Sequence, residues 1–133
     1  MIAIAPVVRH MLLCDDVVEL PAGSGKVTLV GLVTNIESRL EPTFPLIHPS
    51  LCVYVQMTNG RGRADVQVLI RQVDSDRVVS GIRPRAVDFP TQPLRVHGML
   101  FRILDCAFPT PGLYQVEFRV GDQVLAHEPL LVR

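Results

Sequence analysis

Apolar and polar residues alternate one by one along two well-separated segments of the chain. Every second residue from Leu51 to Met57 is apolar, and the same pattern runs from Tyr114 to Val120. Successive side chains of a strand point to opposite faces, so both segments are predicted to be β-strands with one face in a core. Apolar residues recur nowhere at helical spacing over three turns, and no substantial helix is expected.

Turn-forming residues separate these apolar runs. Glycine, proline, asparagine and aspartate favour the tight loops that join antiparallel strands. The predicted hairpins are Arg9–Leu20 with Lys26–Ile36 across Pro21–Gly25, Leu51–Thr58 with Ala64–Val73 across Asn59–Gly62, and Tyr114–Val120 with Gln123–Val132 across Gly121–Asp122. The prolines of Glu37–Ser50 remove backbone donors, and we expect this stretch to be an irregular loop that crosses from one sheet to another.

These elements predict an all-β domain of about seven strands that occupies residues 1–133, and they favour a two-sheet sandwich over a barrel. The run Pro111–Val116 resembles the corner of immunoglobulin-like domains, in which a tyrosine hydroxyl bonds back to nearby backbone. Tyr114 takes the place of that tyrosine, and Val116 stands where such domains carry a cysteine. We therefore expect an immunoglobulin-like sandwich without the usual disulfide. An ordinary surface turn before Tyr114 is the alternative.

Composition narrows the classes of function. Hydrophobic residues make up 48% and charged residues 20% of the chain, so a packed domain is expected rather than a disordered one. The 13 basic and 13 acidic side chains cancel, which argues against a dedicated binder of nucleic acid or anionic membranes. No apolar stretch approaches the roughly 20 residues of a membrane-spanning helix. The three widely spaced cysteines are expected to be reduced, in a soluble cytoplasmic protein.

Four short motifs resemble those of a family of short bacterial proteins of unknown function. They are Cys14–Val17 (CDDV), Gly25–Leu32 (GKVTLVGL), Phe44–Pro45 and Cys106–Tyr114 (CAFPTPGLY), and the likeness extends over nearly the whole chain. The resemblance implies an all-β fold and a bacterial source. It implies no activity, cofactor or site residue.

The usual signatures of catalysis are missing. Gly23–Lys26 has the glycines of a phosphate-binding loop, but Leu20 stands where that motif needs glycine and Val27 where it needs serine or threonine. Ser24 lacks both flanking glycines of a hydrolase nucleophile. We expect no catalytic residue, no cofactor and a protein that is not an enzyme.

The sequence gives only indirect evidence for a metal-binding site. His10 and His48 each precede a cysteine by four residues, a spacing that separates the two side chains by about 13 Å in an extended strand. That distance is too long for one ion, and no closely spaced pair of zinc ligands is present. A site gathered from distant strands, formed by Cys14, Cys52, Cys106 and a histidine, stays open as an alternative to core packing.

Two aspartate–cysteine clusters interrupt otherwise apolar strands. Their members are the candidates for a polar site: Cys14, Asp15, Asp16, Asp105 and Cys106. Asp15 and Asp16 are adjacent, so in a strand they point to opposite faces and do not form a carboxylate pair. If the chain turns there, they accept backbone hydrogen bonds or join Asp105 in a calcium site, and the turn-forming role is the favoured one.

The stretch from Gly60 to Ala86 holds six arginines against three aspartates. Five of these arginines define a candidate basic interaction face: Arg61, Arg63, Arg71, Arg83 and Arg85. Their guanidinium groups match the geometry of carboxylates and phosphates on a partner. A solvated surface is the alternative, and the lack of aromatic residues in the stretch argues against single-stranded nucleic acid.

These observations support two hypotheses of function. The first is a non-catalytic interaction or assembly module, in which the high apolar content leaves a sheet face or edge strand for a protein partner or for a second copy in a homodimer. The second is a small-ligand or metal-binding protein that uses histidine, cysteine and aspartate side chains between strands. An accessory role in a nucleic-acid machine ranks last, and no membrane partner is expected.

Overall fold

Ten strands form two sheets that pack face to face. The structure, a computed structural model, describes residues 4–37, 44–89, 92 and 94–133. The strands are β1 (Val7–Glu19), β2 (Val27–Leu32), β3 (Asn35–Ile36), β4 (Leu46–Thr58), β5 (Arg63–Gln72), β6 (Arg77–Gly81), β7 (Arg85–Asp88), β8 (His97–Phe108), β9 (Gly112–Val120) and β10 (Gln123–Val132). Within the described residues there is no helix, and so none long and apolar enough to cross a membrane.

The smaller sheet has four strands in the order β2-β1-β4-β8. The larger has six, in the order β3-β10-β9-β5-β6, with β7 also paired to β5. Neighbouring strands are antiparallel except for β3, which runs parallel to β10. The predicted all-β, two-sheet sandwich is confirmed, but its predicted count of about seven strands is too low.

Short strands account for the undercount. β3, β6 and β7 are only two, five and four residues long, which is too short for an alternating pattern to be recognised. The run Lys26–Ile36, predicted as one strand, is interrupted at Val33–Thr34. Its first part stays with β1 in the four-stranded sheet, and its last two residues pair with β10 in the other sheet.

The predicted crossing loop Glu37–Ser50 does change sheets, because β3 and β4 belong to different ones. Residues 38–43 of this loop, Pro42 among them, lie outside the described residues. Its last part is strand rather than loop, since β4 begins at Leu46. The β4–β8 ladder accommodates Pro49 by skipping it, with partners resuming at His48 and Ser50 on either side.

The predicted hairpin of Leu51–Thr58 with Ala64–Val73 is wrong. β4 pairs with β1 and β8, and β5 lies in the other sheet, so the connection Asn59–Gly62 carries the chain across the sandwich. Asn59 and Gly62 both adopt a positive φ, and a side chain at Gly60 would collide with the Phe89 ring. The other two hairpins, β1–β2 and β9–β10, are confirmed.

The core lies between the two sheets. It is built from alternate residues of the long strands, as the pattern from Leu51 to Met57 and from Tyr114 to Val120 predicts. Aromatic rings pack against one another within the core. Phe101 packs on Phe118 with ring centroids 5.8 Å apart. Phe108 packs edge-on against Tyr114 at 5.0 Å.

In both β4 and β8, the core-facing positions change between odd-numbered and even-numbered residues at the same place in the sheet. On β8, Ile103 points into the core and so does Cys106, with two residues between them instead of one. On β4, Leu51 lies in the core and Leu46 packs against it, again an odd number of residues away. The switch coincides with Asp105, which has a φ of 50°, and with the skipped Pro49. The two strands therefore bend together while their pairing register is kept.

Candidate functional site

The outward face of the four-stranded sheet carries apolar side chains where polar ones are usual. Leu12 on β1, Tyr54 on β4 and Leu100 on β8 are direct cross-strand partners and form one row across the sheet. Outward positions of a sandwich are normally polar, because only the inner faces meet in the core. Leu32 lies in the next row, as the partner of Cys14, and Leu104 lies four residues beyond Leu100, with Arg102 between them. Leu32 and Leu104 are 64% and 67% exposed, whereas Tyr54 is only 8% exposed. We call these five residues the outer patch.

The end of the β1–β2 hairpin lies over part of this face. β1 pairs with β4 only as far as Cys14, and beyond that residue it pairs with β2 alone. The hairpin and the sheet together line a cleft of about 440 Å³. Its walls include Val17, Glu19 and Val27 of the hairpin and Tyr54, Gly98 and Leu100 of the sheet. We call it the hairpin cleft.

The lining of this cleft is mixed, and two polar side-chain groups contribute to it. One is the carboxylate of Glu19, whose Oε1 accepts a hydrogen bond from the backbone N–H of Gly23 at 2.6 Å. The other is the hydroxyl of Tyr54, which accepts a long 3.4 Å contact from the amide of Gln56. Tyr54 lies so close over Gly98 that a Cβ there would come within 2.5 Å of its hydroxyl oxygen. Glycine at this position therefore permits the Tyr54 ring to lie across β8.

Cys14 and Cys52 are direct partners across β1 and β4, and both are fully buried. They occupy the row next to Leu12 and Tyr54, and the thiol of Cys52 donates to the backbone oxygen of Asp15 at 3.5 Å. Burial raises the pKa of the Cys14 thiol to about 11, and the neighbouring Cys52 and Asp15 add to the rise, while a backbone hydrogen bond at Asp16 opposes it. At neutral pH Cys14 is therefore a protonated, weakly nucleophilic thiol.

Asp15 and Asp16 both lie inside β1, so the expected turn is absent, but Asp16 Oδ1 does accept a hydrogen bond from the backbone N–H of Val17 at 2.8 Å. The two carboxylates contact different strands, in line with the expected opposite orientations. Asp16 Oδ1 accepts a hydrogen bond from Arg102 of β8 at 2.7 Å. Asp15 Oδ1 lies 3.5 Å from Nε2 of His48, a contact too poorly aligned to count as a hydrogen bond.

Asp105 and Cys106 lie apart from the other candidates. Cys106 belongs to the core between the sheets, where burial raises the pKa of its thiol. Asp105 is exposed at the bend of β8. The three cysteines thus do not converge, since Cys106 faces inward at the bend and Cys14 and Cys52 lie on the opposite side of the sheet. Among the described residues, no three His, Cys, Asp or Glu side chains are grouped closely enough to hold a metal ion.

Tyr114 is fully buried and makes the corner contact expected of it. Its hydroxyl donates to the backbone oxygen of Thr110 at 2.6 Å, and the hydroxyl oxygen in turn accepts a 3.4 Å hydrogen bond from the Thr110 N–H. The contact ties the start of β9 to the turn that precedes it. It is a structural anchor rather than part of an exposed site.

The structure distributes the five candidate arginines over different surroundings. Arg63 and Arg71 lie on the outward face of β5, and each contacts a carboxylate. Arg85 is the partner of core residue Val66 and lies over the Phe101 ring, 4.9 Å from its centroid. Exposed Arg61 and Arg83 lie in the connections before β5 and before β7. Strand pairing does not gather these side chains on one face.

Sequence reasoning missed a carboxylate on the outward face of the six-stranded sheet. Glu117 is buried and accepts hydrogen bonds from Arg71 at 3.3 Å, Arg119 at 3.2 Å and Gln115 at 2.9 Å. Burial alone would raise the pKa of Glu117, but these donors and the charge of Arg71 outweigh it and lower the pKa below the ordinary value. Arg71 comes from a distant strand, so only the alternation of Gln115, Glu117 and Arg119 was visible in the sequence.

The outer patch was missed as well, although the sequence held a signal for it. Tyr54 falls on the face of β4 opposite the core, and a large side chain at such a position is unusual for an outward face. Its partners Leu12 and Leu100 became recognisable only with the order β1-β4-β8 known. A second apolar groove, of about 310 Å³, continues from Leu12 and Leu32 to Leu113 and Leu131 at the junction of the two sheets.

Comparison with curated proteins found no match. A family model does match residues 9–133, from the start of β1 to the last residue. The match covers every strand of both sheets except the first two residues of β1. The chain therefore belongs to a family described as a family of unknown function, DUF6941.

Proposed function

We propose that this protein is a non-catalytic interaction module that forms a homodimer through the outer patch. The observation that carries the proposal is the set of outward leucines Leu12, Leu32 and Leu104, which are 40%, 64% and 67% exposed on a sheet face that no second sheet of the described residues covers. Large contiguous apolar surface is costly in water, and on soluble proteins it usually marks a surface that another molecule covers. Leu100 between these leucines is half-buried, and Tyr54, only 8% exposed, lies beneath the hairpin.

A second copy is the favoured occupant because the patch is self-complementary. A two-fold interface brings the same surface of both copies together, so it needs an apolar centre and both signs of charge at its edge. Asp16 and Arg102 supply these charges beside the row, with side chains 50% and 45% exposed. In the dimer each Arg102 can approach the acidic residues of the other copy.

Strand order supports an immunoglobulin-like form of the sandwich. In that fold the strands A-B-E lie in one sheet and C-F-G in the other. The orders β1-β4-β8 and β10-β9-β5 correspond to them in sequence order and in neighbours. Tyr114 at the start of β9 occupies the position of the tyrosine corner, and β2 is an addition at the outer edge. A bacterial source agrees with the sequence motifs. A cytoplasmic location agrees with the three free cysteines.

The homodimer is tested by placing a charge in the patch. Leu32→Asp and Leu104→Asp change exposed side chains, so the fold should survive, while each dimer would bury two uncompensated carboxylates. We expect the wild-type protein to be dimeric at high micromolar concentration. Each variant should weaken the dimer at least about tenfold, which corresponds to about 1.4 kcal/mol. Sedimentation velocity over a concentration series measures this directly.

Val78→Asp is the matched control for these two variants. Val78 is also exposed, at 47%, but it lies on β6 in the other sheet, so its substitution should leave the dimer intact. A wild-type protein that stays monomeric throughout the series would contradict the homodimer. If the monomer instead binds an unrelated protein and Leu104→Asp abolishes that binding, the patch is an interface for a different partner.

The hairpin cleft supports a second candidate function, the binding of a small organic molecule. Its lining is about evenly polar and apolar, and with Glu19 and the Tyr54 hydroxyl it suits an amphipathic ligand that carries a hydrogen-bond donor. A native mass spectrum of the gently purified protein tests this candidate. Excess mass that disappears in a Glu19→Gln variant would support it, and a clean mass of the bare chain would count against it.

A further inference from the structure

The two buried thiols of Cys14 and Cys52 occupy a special position in the four-stranded sheet. They form the last pair of the β1–β4 ladder, after which β1 continues with β2 alone. A covalent link at this point would fasten the base of the β1–β2 hairpin to the sheet. We propose that Cys14 and Cys52 are a redox-modification site, which closes into an intramolecular disulfide by exchange with a low-molecular-weight disulfide.

Strand geometry places the pair within reach of a disulfide. Val33 donates its N–H to the oxygen of Leu13 at 2.8 Å, so the backbone of Leu13 faces β2 and that of its neighbour Cys14 faces β4. Cys14 and Cys52 are therefore a hydrogen-bonded antiparallel pair, whose Cα atoms are about 5.5 Å apart. Disulfides span Cα separations of about 4.4–6.8 Å.

Closure requires a small local movement. The Cβ atoms of opposite residues are about 4.5–5.5 Å apart in a sheet, with hydrogen-bonded pairs at the wide end, against about 3.5–4.5 Å in a disulfide, so the two Cβ atoms must approach by about 1–2 Å. The end of a ladder permits this approach more easily than its middle, because Asp15 and the residues after it are not paired with β4.

The surroundings of the pair make the reaction slow rather than impossible. The Asp15 backbone covers Cys52, and the carboxylates of Asp15 and Asp16 lie beside Cys14, with Arg102 of β8 held to Asp16. The pKa of Cys14, raised to about 11, leaves very little of the reactive thiolate at neutral pH. Reaction then requires the hairpin end to lift, which breaks the Asp16–Arg102 contact but no β1–β4 pair beyond Cys14.

The chemistry balances with one small disulfide as oxidant. One cysteine loses its proton, and its thiolate attacks a sulfur of the small disulfide, which releases one small thiolate and leaves a mixed disulfide on the protein. The second cysteine loses its proton and attacks the protein-bound sulfur of that mixed disulfide. The Cys14–Cys52 bond forms, and the second small thiolate leaves. Two electrons pass from the protein thiols to the small disulfide, and both protons are taken up by the released thiols or by solvent.

The test exposes the folded protein to oxidised glutathione, quenches it with acid and maps its peptides without reduction. We expect the protein to lose two hydrogen atoms and to yield a linked pair of peptides that contain Cys14 and Cys52. A dithiol should reverse the change. The rate should rise about tenfold for each pH unit between 7 and 9, because the attacking species is the thiolate.

Single substitutions give the controls. Cys106→Ala removes the cysteine that faces the core and should oxidise like the wild-type protein. Cys14→Ser and Cys52→Ser should form no internal bond and stop at a mixed disulfide. Folded protein that gains no internal bond, or in which Cys106 is linked as often as the other two, would overturn the proposal. The monomeric Leu104→Asp variant should oxidise normally, which separates this inference from the proposed dimer.

Discussion

At the scale of single residues, Tyr114 shows a contact that local sequence is sufficient to predict. Its hydroxyl reaches Thr110, only four residues earlier in the chain, so the partner is fixed by the turn Pro109–Gly112 and not by distant packing. The hydroxyl is fully buried, and the hydrogen bond to the Thr110 oxygen is short, at 2.6 Å. A buried polar atom with one good partner makes a definite contribution to stability.

Tyr114→Phe should therefore destabilise the protein while leaving its shape intact. Loss of the hydroxyl removes the hydrogen bond but keeps the ring that packs against Phe108, so we expect a fall of about 1–2 kcal/mol in the free energy of unfolding. Urea denaturation monitored by circular dichroism measures it. Tyr54→Phe is the control, because the Tyr54 hydroxyl has only a 3.4 Å contact, and its loss should cost less. Equal losses for both variants would show that the corner contact is not special.

Other residue contacts could not be predicted from the sequence, because the two partners are far apart along the chain. Cys14 meets Cys52, and Glu117 meets Arg71, only after strands from different parts of the sequence have paired. The aspartate–cysteine motifs drew attention to Cys14 and Cys106 alike, yet the bend of β8 turns Cys106 into the core. A shared motif therefore did not mean a shared site.

At the scale of elements, the β1–β2 hairpin depends on a glycine inside a strand. Gly31 in β2 has a φ of 67°, a value that residues with a side chain rarely adopt. Its Cα also faces the carboxylate of Asp15, so that a Cβ at Gly31 would lie 2.6 Å from Asp15 Oδ2. Both constraints act where β1 leaves β4, at the base of the hairpin.

Gly31→Ala should destabilise the protein more than Gly23→Ala. Both glycines have a positive φ, which costs about 1–2 kcal/mol for a residue with a side chain. Gly23 has open space around it, whereas Gly31 adds the collision with Asp15, so the difference between the two losses measures that collision. Thermal unfolding provides the comparison. The extra loss should shrink in the double variant Asp15→Ala/Gly31→Ala, and an unchanged loss would refute the role given to Asp15.

Hairpins also show where prediction from local pattern stops. β1–β2 and β9–β10 were predicted because a glycine-containing turn joins two apolar runs. The link Asn59–Gly62 also contains glycine and lies between apolar runs, but it joins strands of different sheets. What distinguishes it is the packing of Phe89 and Pro6 against Gly60, and both residues are distant in sequence. A turn signal predicts a reversal of the chain, and tertiary contacts decide whether the two strands pair.

At the scale of the whole molecule, Glu117 links the stability of the six-stranded sheet to pH. It accepts hydrogen bonds from Arg71 of β5 and from Gln115 and Arg119 of β9, so one carboxylate holds two central strands. Its pKa in the folded protein is lower than the ordinary value of 4.5. The unfolded chain thus binds this proton more readily, and acid favours unfolding. The stabilising contribution is complete above about pH 4.5 and disappears as the pH falls through the lower folded pKa.

Glu117→Gln should remove this contribution. At pH 7 we expect the variant to lose about 1.5–3 kcal/mol, the usual range for a hydrogen bond to a charged group. The difference from the wild-type protein should narrow as the pH is lowered below 4.5, because the native carboxyl then becomes neutral too. Urea denaturation at several pH values measures both effects. Asp88→Asn, which removes an exposed 3.6 Å ion pair with Arg63, should change stability by less than about 1 kcal/mol. A constant difference at all pH values would contradict the role of the Glu117 charge.

Fold class followed from the sequence because alternation, frequent turn residues and the lack of helical spacing all agree. The order of the strands did not, since it depends on which sheet receives each strand after the crossings at Val33–Thr34 and Asn59–Gly62. The outer patch depends on that order, and so it appears only in the folded molecule. A surface built across β1, β4 and β8 draws its residues from distant parts of the sequence and so leaves no contiguous motif.

The shared bend of β4 and β8 marks the end of the outer patch along these strands. Leu104 is the last outward residue of β8 before the bend, and the side chains that would continue its row are turned into the core from Cys106 onward. The same alternate positions of these strands thus point outward up to the bend and into the core after it. One residue inserted upstream of the bend would shift the alternation of these strands by one position. The leucines that now point outward would then point into the interior.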